Sequence, residues 1–233
     1  MKRTTWARAR IMTVATLTVA FSATINRAEN ESIGILVKGN NAFALNIYRK
    51  IAATEGNLLF SPYSLSSALA MTSAGARENT AKELKDTLQF QLDQDQLPSV
   101  FKELNKTITT QARKTGQKVL IANGLCLTSG DVSKEFKDIL LDKYEAKLFS
   151  GRLDEINEWV KIKTEGKIDK ILEKIAPDSV CVLINAIYFK GTWKLQFKKS
   201  QTHQAPFNLS PKKTINIPLM YQRGMHKLNW VAD

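Results

Sequence analysis

Histidine, cysteine and acidic residues are scarce in this sequence. Its 233 residues include 2 histidines and 2 cysteines, and 34 lysines and arginines outnumber 22 aspartates and glutamates. Neither His203 nor His226 lies in a metal-binding spacing, and Cys126 lacks the flanking residues of a nucleophilic cysteine. No serine lies in a nucleophile elbow, and no glycine-rich loop follows a predicted strand. We therefore expect a protein without enzymatic activity, metal or cofactor.

The two cysteines are too few for a disulfide framework. Cys126 and Cys181 both lie in apolar, strand-like runs, where a thiol behaves as a small hydrophobic side chain. We expect two buried free thiols, with a disulfide bridge as the alternative.

The sequence also lacks an apolar run long enough to cross a membrane. Its N-terminus has the pattern of an export signal: a basic segment, Met1 to Arg10, precedes the apolar run Ile11 to Phe21. We predict a signal peptide over residues 1–22 with cleavage after Ser22, with Ala23 and Ala28 as weaker alternatives, and hence a secreted, extracellular protein. The alternative is a cytosolic protein with an irregular N-terminus.

Export would give meaning to three potential N-glycosylation sequons. They begin at Asn30, Asn105 and Asn208. Such triplets are common by chance, so each one alone is a weak prediction of a glycoprotein.

Basic charge is abundant. The net charge is +12, and removal of the four basic residues in 1–22 leaves +12 − 4 = +8. A basic protein suits a polyanion such as a sulfated glycan, although lysine-rich solvated helix faces are the simpler explanation. In the predicted helix Leu97 to Lys114, one face carries Lys102, Lys106 and Arg113, with Lys114 further round.

The periodicity of apolar residues predicts an α+β fold. Helices are predicted at Gly39–Thr54, Ser61–Gly75, Thr80–Leu88, Leu97–Lys114, Asp131–Leu148 and Leu153–Ile168. Ser61 is the expected N-cap of the second helix, and Thr80 with Glu83 forms a predicted capping box. Strands are predicted at Asn57–Phe60, Lys118–Leu127 and Val180–Trp193, followed by short strands and turns in a basic segment.

The strand Val180 to Trp193, VCVLINAIYFKGTW, is almost continuously apolar. Such runs are typical of strands buried on both faces, so we expect it in the middle of a large sheet. Its one polar interruption, Asn185, needs hydrogen-bond partners if it is buried. Those partners must come from segments far upstream.

Three segments carry specific motifs: NLLFSPYSLSSALAMTSAGARENT (Asn57–Thr80), NEWVKIKTEGKI (Asn157–Ile168) and LINAIYFKGTW (Leu183–Trp193). Together they resemble the serpin family, the serine-protease inhibitors that trap their targets by inserting a loop into a β-sheet. IPLMYQRG at Ile217 to Gly224 continues the pattern. The resemblance implies a partial serpin domain over residues 29–233.

The resemblance also implies residue roles. Ser61, Ser64 and Asn185 match the polar positions of the shutter, where strands of the main sheet part, and Trp193 matches the breach, where loop insertion begins. A serine protease is the implied partner. Some serpins bind heparin on the helix in the position of Leu97 to Lys114, whereas nucleic acid is disfavoured because an aromatic and basic platform is lacking.

The sequence departs from the family in two places. The family's core is about half as long again or more, and the missing part carries the remaining main-sheet strands, the hinge and the bait loop. We expect these 233 residues to be an incomplete gene model or a product that lacks inhibition. The segment from Phe149 to Asn157, which links the chain ending near Leu148 to the following helix, is shorter than is usual in the family. Non-inhibitory serpins, such as carriers or chaperones, and glycosaminoglycan-binding proteins are the alternatives.

Overall fold

A computed structural model describes residues 29–54, 58–129, 131–193, 195–210 and 212–223. The predicted signal peptide at 1–22 lies outside these residues. The chain divides into two compact units, Met1–Phe189 and Lys190–Asp233. In the part of the chain that the structure describes, no helix combines the length and the apolar character needed to span a membrane.

The first unit contains six helices and three strands among its described residues, which confirms the α+β prediction. The helices are α1 (29–51), α2 (Pro62–Gly75), α3 (Glu78–Thr87), α4 (Leu97–Lys114), α5 (Lys134–Tyr144) and α6 (Leu153–Lys163). The strands are β1 (Lys118–Leu127), β2 (Lys147–Phe149) and β3 (Cys181–Lys190). Both α4 and β1 have the predicted bounds.

The three strands form one sheet in the order β2-β1-β3. β1 and β2 are parallel, with Gly124 opposite Lys147. Thr128, just after β1, donates through its backbone N–H to the carbonyl oxygen of Val180, just before β3, at 3.0 Å. The end of β1 therefore lies beside the start of β3, and these two strands run antiparallel.

The predicted position of β3 in the middle of a large sheet is wrong for the described residues, because β3 lies at an edge and β1 takes the middle. The strand is also shorter than predicted, since Val180 and residues 191–193 are outside it. The pattern of buried residues in β3 is the one expected for an edge strand. One face is buried through Ile184, Ala186 and Tyr188, whereas the ends are exposed, with Phe189 at 65%. The expectation of burial on both faces is therefore only partly met.

The two cysteine thiols also differ in burial between β1 and β3. Cys126 in β1 is buried and Cys181 at the start of β3 is exposed, and both are free. The prediction of two buried thiols is thus correct for Cys126 and wrong for Cys181.

Two hydrophobic clusters hold the sheet between helices. On one side, α1, α2, α4 and α5 bury a core that includes Met71, Phe101 and Leu140, each fully buried. On the other side, α6 packs on the sheet through Ile156 and Val160, which are also fully buried. Burial of side chains this large is the main stabilising term of such a fold.

Helix α2 can lie against the sheet because its buried residues are mostly small. They are Ser66, Ser67, Ala70, Met71 and Ser73. Its start confirms the predicted cap: the Ser61 Oγ accepts a hydrogen bond from the Ser64 N–H at 3.2 Å, and Pro62 is the first helical residue.

The predicted capping box of α3 is wrong. The helix begins at Glu78, before Thr80, and Glu83 accepts a hydrogen bond from Asn79 Nδ2 at 2.7 Å. The carboxylate of Glu83 therefore pairs with a side chain one turn before it.

Two helices end earlier than predicted. Helix α5 ends at Tyr144 because Glu145 adopts the left-handed conformation at φ 51°, and the next residues pair with β1 as strand β2. Helix α6 ends at Lys163, and the Gly166 N–H, at φ 71°, donates to the Lys161 carbonyl oxygen at 2.8 Å. The predicted C-terminal turn at Gly166 is therefore present, although the helix itself ends three residues before it.

Near the N-terminus, α1 covers 29–51 of the described residues and so begins before the predicted Gly39. Residues 58–60 are not a strand, and Asn57 lies outside the described residues. The link between β2 and α6 is only 150–152, where Gly151 has a φ of 85° that favours glycine.

The second unit contains an antiparallel hairpin of β4 (His203–Ser210) and β5 (Lys213–Leu219), with His203 opposite Leu219. A short 3₁₀ turn, Lys199–Gln201, precedes it. This agrees with the short strands and turns predicted after Trp193.

Candidate functional site

The candidate site is a chain of hydrogen bonds between helix α2 and the sheet. Asn185 lies on the half-buried face of β3, and its Oδ1 accepts a hydrogen bond from the hydroxyl of Ser64 in the first turn of α2. These residues are 121 positions apart in sequence. The expectation that a distant upstream segment reaches this amide is confirmed.

The other half of the Asn185 amide contacts β1. Its Nδ2 donates to Asn123 Oδ1 at 2.7 Å, and Asn123 Nδ2 donates in turn to the backbone carbonyl of Tyr144, at the end of α5, at 2.7 Å. Asn123 is only 3% exposed. Because all of these groups find partners, a polar contact is tolerated inside an apolar core.

Asn123 was not singled out by sequence reasoning, although a signal was present. It is the single amide in the apolar run KVLIANGLCL, as Asn185 is in its own strand. The rule that drew attention to Asn185 applies equally to Asn123, and the two amides bond to each other.

Ser61 has a different position from Ser64. It is exposed, and its hydroxyl caps α2 by accepting from the Ser64 N–H. One hydroxyl, that of Ser64, bonds to the carboxamide of Asn185. Ser61 therefore acts on the amide only indirectly, by fixing the first turn of the helix that carries Ser64.

The predicted basic row lies along α4. Lys102 Nζ donates to the Asp142 carbonyl oxygen at 2.7 Å, which joins α4 to α5. Lys106 Nζ lies 3.3 Å from Glu103 Oε2 in an exposed ion pair. Arg113 and Lys114 are exposed in the last turn, where positive charge also complements the helix dipole.

Trp193 belongs to the second unit. Its side chain is 66% exposed, and its ring contacts the ring of Phe197 edge-on, with centroids 5.6 Å apart. The contact places two aromatic side chains together at the start of that unit.

The three sequons differ in accessibility. Asn30 is exposed in α1, and Asn208 is exposed in β4, where its Oδ1 accepts from Thr214 Oγ1 at 2.7 Å. Asn105 is half-buried in α4, and its Oδ1 accepts from the Tyr63 hydroxyl at 2.6 Å. Burial raises the pKa of Tyr63, so this hydroxyl stays a donor at neutral pH.

Metal-ligating side chains do not gather in the parts of the chain that the structure describes, where no three of His, Cys, Asp or Glu could hold an ion. The site is thus built from hydroxyl and amide groups, which can form and release hydrogen bonds.

Comparisons with known proteins cover most of the chain. A family model described as Serpin (serine protease inhibitor) matches residues 38–232. The leukocyte elastase inhibitor of Equus caballus is 36% identical over 213 residues, which cover 85% of this chain and 55% of the inhibitor. The chain spans about half the length of the curated relatives it matches.

Solved structures with the same fold carry different ligands. Human thyroxine-binding globulin matches with a TM-score of 0.72 and 28% identity, over 82% of this chain and 55% of that protein. Cleaved kallistatin in complex with heparin matches with a TM-score of 0.71 and 30% identity, over 78% of this chain and 57% of that protein.

Proposed function

Because the chain belongs to the serpin family, we propose that the protein is a secreted inhibitor of serine-type endopeptidases that acts by inserting a loop into its main β-sheet. The matched region is about half of each relative, so this activity is proposed for the whole protein. Residues 29–233 would supply its partial serpin domain, including strand β3, beside which the loop would insert.

The hydrogen-bonded chain Ser64–Asn185–Asn123 is the observation that carries the proposal. It joins helix α2 to the neighbouring strands β1 and β3 by polar bonds, and the Ser64–Asn185 bond between helix and strand can be exchanged for another when β3 moves over the helix. A continuous apolar contact would instead lose its packing in such a movement. We propose Ser61, Ser64 and Asn185 as the shutter, with Asn123 as a further member, and Trp193 as the breach residue.

In the proposed mechanism the inserted loop would pair beside β3. Within the described residues β3 pairs with β1 on one side, and its other side offers backbone groups to a further strand. Strand addition to a sheet edge is the physical basis of loop insertion in serpins.

The direct test is adduct formation with a protease. The longest natural product of the gene and the 233-residue chain would each be incubated with trypsin-like and chymotrypsin-like proteases, then run on a denaturing gel. We expect a detergent-resistant adduct with the first and none with the second. No adduct with either would refute inhibition and favour a carrier or chaperone role. An adduct with the 233-residue chain would contradict the expectation that this chain alone does not inhibit.

The second candidate function is glycosaminoglycan binding through Lys102, Lys106, Arg113 and Lys114. Two observations favour it: the exposed basic row on α4, and the likeness to a kallistatin solved with heparin. Ion pairing with a sulfated chain is strongly salt-dependent.

Heparin chromatography tests this candidate. We expect the Lys102/Lys106/Arg113→Ala variant to elute at clearly lower salt than the parent chain. The matched control is Lys82/Lys163/Lys167→Ala, which removes the same charge from exposed positions outside α4. Equal elution of the two variants would show that only net charge matters.

Secretion and glycosylation are proposed with the inhibitor function. Expression in a secreting eukaryotic cell should place the protein in the medium, with a mobility shift after glycosidase treatment. Asn208→Gln and Asn30→Gln test the exposed sequons, and Asn105→Gln tests the half-buried one. Retention inside the cell would contradict the export proposal.

A further inference from the structure

A cavity of about 220 Å³ lies beside the basic row, between α4, β1 and the end of α5. Helix α4 contributes Lys102, Asn105 and Lys106 to its lining, and β1 contributes Ile121. Lys143, Tyr144 and Glu145 line it from the end of α5. Its volume is below the range of drug-sized ligand pockets, so it suits a smaller molecule.

The charge of the lining is positive. Three ammonium groups, those of Lys102, Lys106 and Lys143, face one carboxylate, that of Glu145. Lys102 bonds to a neutral carbonyl, which leaves its charge uncompensated, and the Lys106–Glu103 ion pair is exposed and therefore weak. Lys143 has no ion pair with any described residue.

One amide of the lining is an unused hydrogen-bond donor. Tyr144 is 1% exposed, and its hydroxyl has no partner among the described residues. Because that hydroxyl has almost no accessible surface, it does not face the space that a ligand would occupy. Asn105 uses its Oδ1 to accept from Tyr63, so its Nδ2 is left as a donor. Burial raises the pKa of Tyr144, and its hydroxyl keeps its proton at neutral pH.

We propose that this cavity binds a small organic anion, with its sulfate, phosphate or carboxylate group held by Lys102, Lys106 and Lys143. The apolar body of the ligand would contact Ile121, and one of its oxygen atoms would accept from Asn105 Nδ2. Neither Lys143 nor Tyr144 belongs to the basic row assigned to glycosaminoglycan, and Arg113 and Lys114 do not line the cavity. Lys102 and Lys106 are shared with the proposed glycosaminoglycan site, so Lys143 and Arg113 are the residues that distinguish the two ligands.

Calorimetric titration of the 233-residue chain with phenyl phosphate tests the proposal. Phenol and inorganic phosphate are the matched probes, because each lacks one half of the ligand. We expect saturable binding of phenyl phosphate, and binding at least about tenfold weaker for both fragments. Equal affinity for phenol would show a merely apolar cleft, and equal affinity for inorganic phosphate a merely basic surface. Either result, or no binding of phenyl phosphate, would overturn the proposal.

Variants locate the site. Lys143→Gln should weaken binding about tenfold, because a charge-assisted hydrogen bond is lost. Tyr144→Phe should leave binding unchanged, since the buried hydroxyl has no accessible surface in the cavity. Lys114→Gln, the matched control on α4, should leave binding unchanged. Unchanged affinity in Lys143→Gln would exclude this cavity as the site. Arg113→Ala should reduce heparin retention alone, which separates the two ligands.

Discussion

Strands β1 and β3 have similar sequences and different environments. Each has ten residues, is mostly apolar and contains one asparagine. β1 lies between two neighbours and has five consecutive buried residues, 122–126, whereas burial in β3 alternates and stops before Phe189. Burial in a sheet is therefore set by the number of neighbouring strands and by the layers above and below. Composition alone does not separate the two cases.

The two asparagines show the same difference. Asn123 in β1 is almost fully buried, and Asn185 in β3 is half-buried. They bond to each other, yet the loss of a partner has different consequences on the two sides. Water can replace a lost partner beside Asn185, whereas it has less access to Asn123.

The largest predicted difference between the strands is in thiol reactivity. In native protein Cys181 should react with a thiol reagent at the rate of an exposed cysteine, while Cys126 should react at least about a thousandfold more slowly, because it requires opening of the central strand. Absorbance with a disulfide reagent gives both rates. Cys181→Ala should abolish the fast phase and Cys126→Ala the slow one. Two fast thiols would show that β1 is not a stable central strand.

The elements predicted with correct bounds are those whose signals are local. In α4, apolar residues repeat at helical spacing from Leu97 to Ala112, and β1 is a continuous apolar run between polar residues. Ser61 followed by Pro62 is likewise a local start signal, and the structure confirms it.

The errors occur where the outcome depends on distant or competing partners. The helix predicted over Asp131–Leu148 stops at Tyr144 because residues 147–149 pair with β1, which no local pattern reveals. The capping box at Thr80 fails because Glu83 already has a partner in Asn79. The edge position of β3 depends on which other strands flank it.

The candidate site was predictable in part for the same reason. A lone amide in an apolar strand must find partners, so Asn185 was identified, and the family resemblance pointed to Ser64. The pairing of Asn185 with Asn123 depends on the antiparallel register of β1 and β3, which sequence alone does not give.

The next largest difference is expected from removal of each amide. Asn123→Ala removes an almost fully buried side chain and leaves the buried Tyr144 carbonyl without its partner, so the free energy of unfolding should fall by about 2–3 kcal/mol. Asn185→Ala should lower it by about 1 kcal/mol, because the space left by this half-buried side chain admits water to Asn123 Oδ1 and to the Ser64 hydroxyl. Denaturant unfolding with unchanged m-values measures both. If Asn185→Ala lost more free energy of unfolding than Asn123→Ala, the amide of β3, and not that of β1, would contribute more to stability.

Ser61→Ala provides the control for that comparison. It removes the N-cap of α2 and should cost about 1 kcal/mol without a direct bond to either asparagine. A double variant with Asn185→Ala should then be close to additive, whereas Ser64→Ala with Asn185→Ala should be non-additive because the two side chains bond directly.

The smallest expected effect concerns an exposed contact that joins the two strands. Glu165, in the turn after α6, bonds to Lys118 of β1 and to Tyr188 of β3. Its carboxylate raises the pKa of Lys118 through a hydrogen bond and their charge interaction, and raises the pKa of Tyr188 mainly through a hydrogen bond. A group whose pKa is raised on folding stabilises the folded state at pH values below its ordinary pKa. That stabilisation is lost as the pH rises through the raised pKa.

Thermal unfolding between about pH 9 and pH 11 should therefore show a slightly smaller fall in Tm for Glu165→Gln than for the parent, by about 2 °C at most. Buried Tyr63 and Tyr144, whose pKa values are raised by burial, cause a fall of the same sign that this variant leaves in place. The matched control is Glu173→Gln, whose carboxylate pairs with Lys170 away from both strands. An identical alkaline fall in Glu165→Gln and the parent would mean that this contact does not couple β1 to β3.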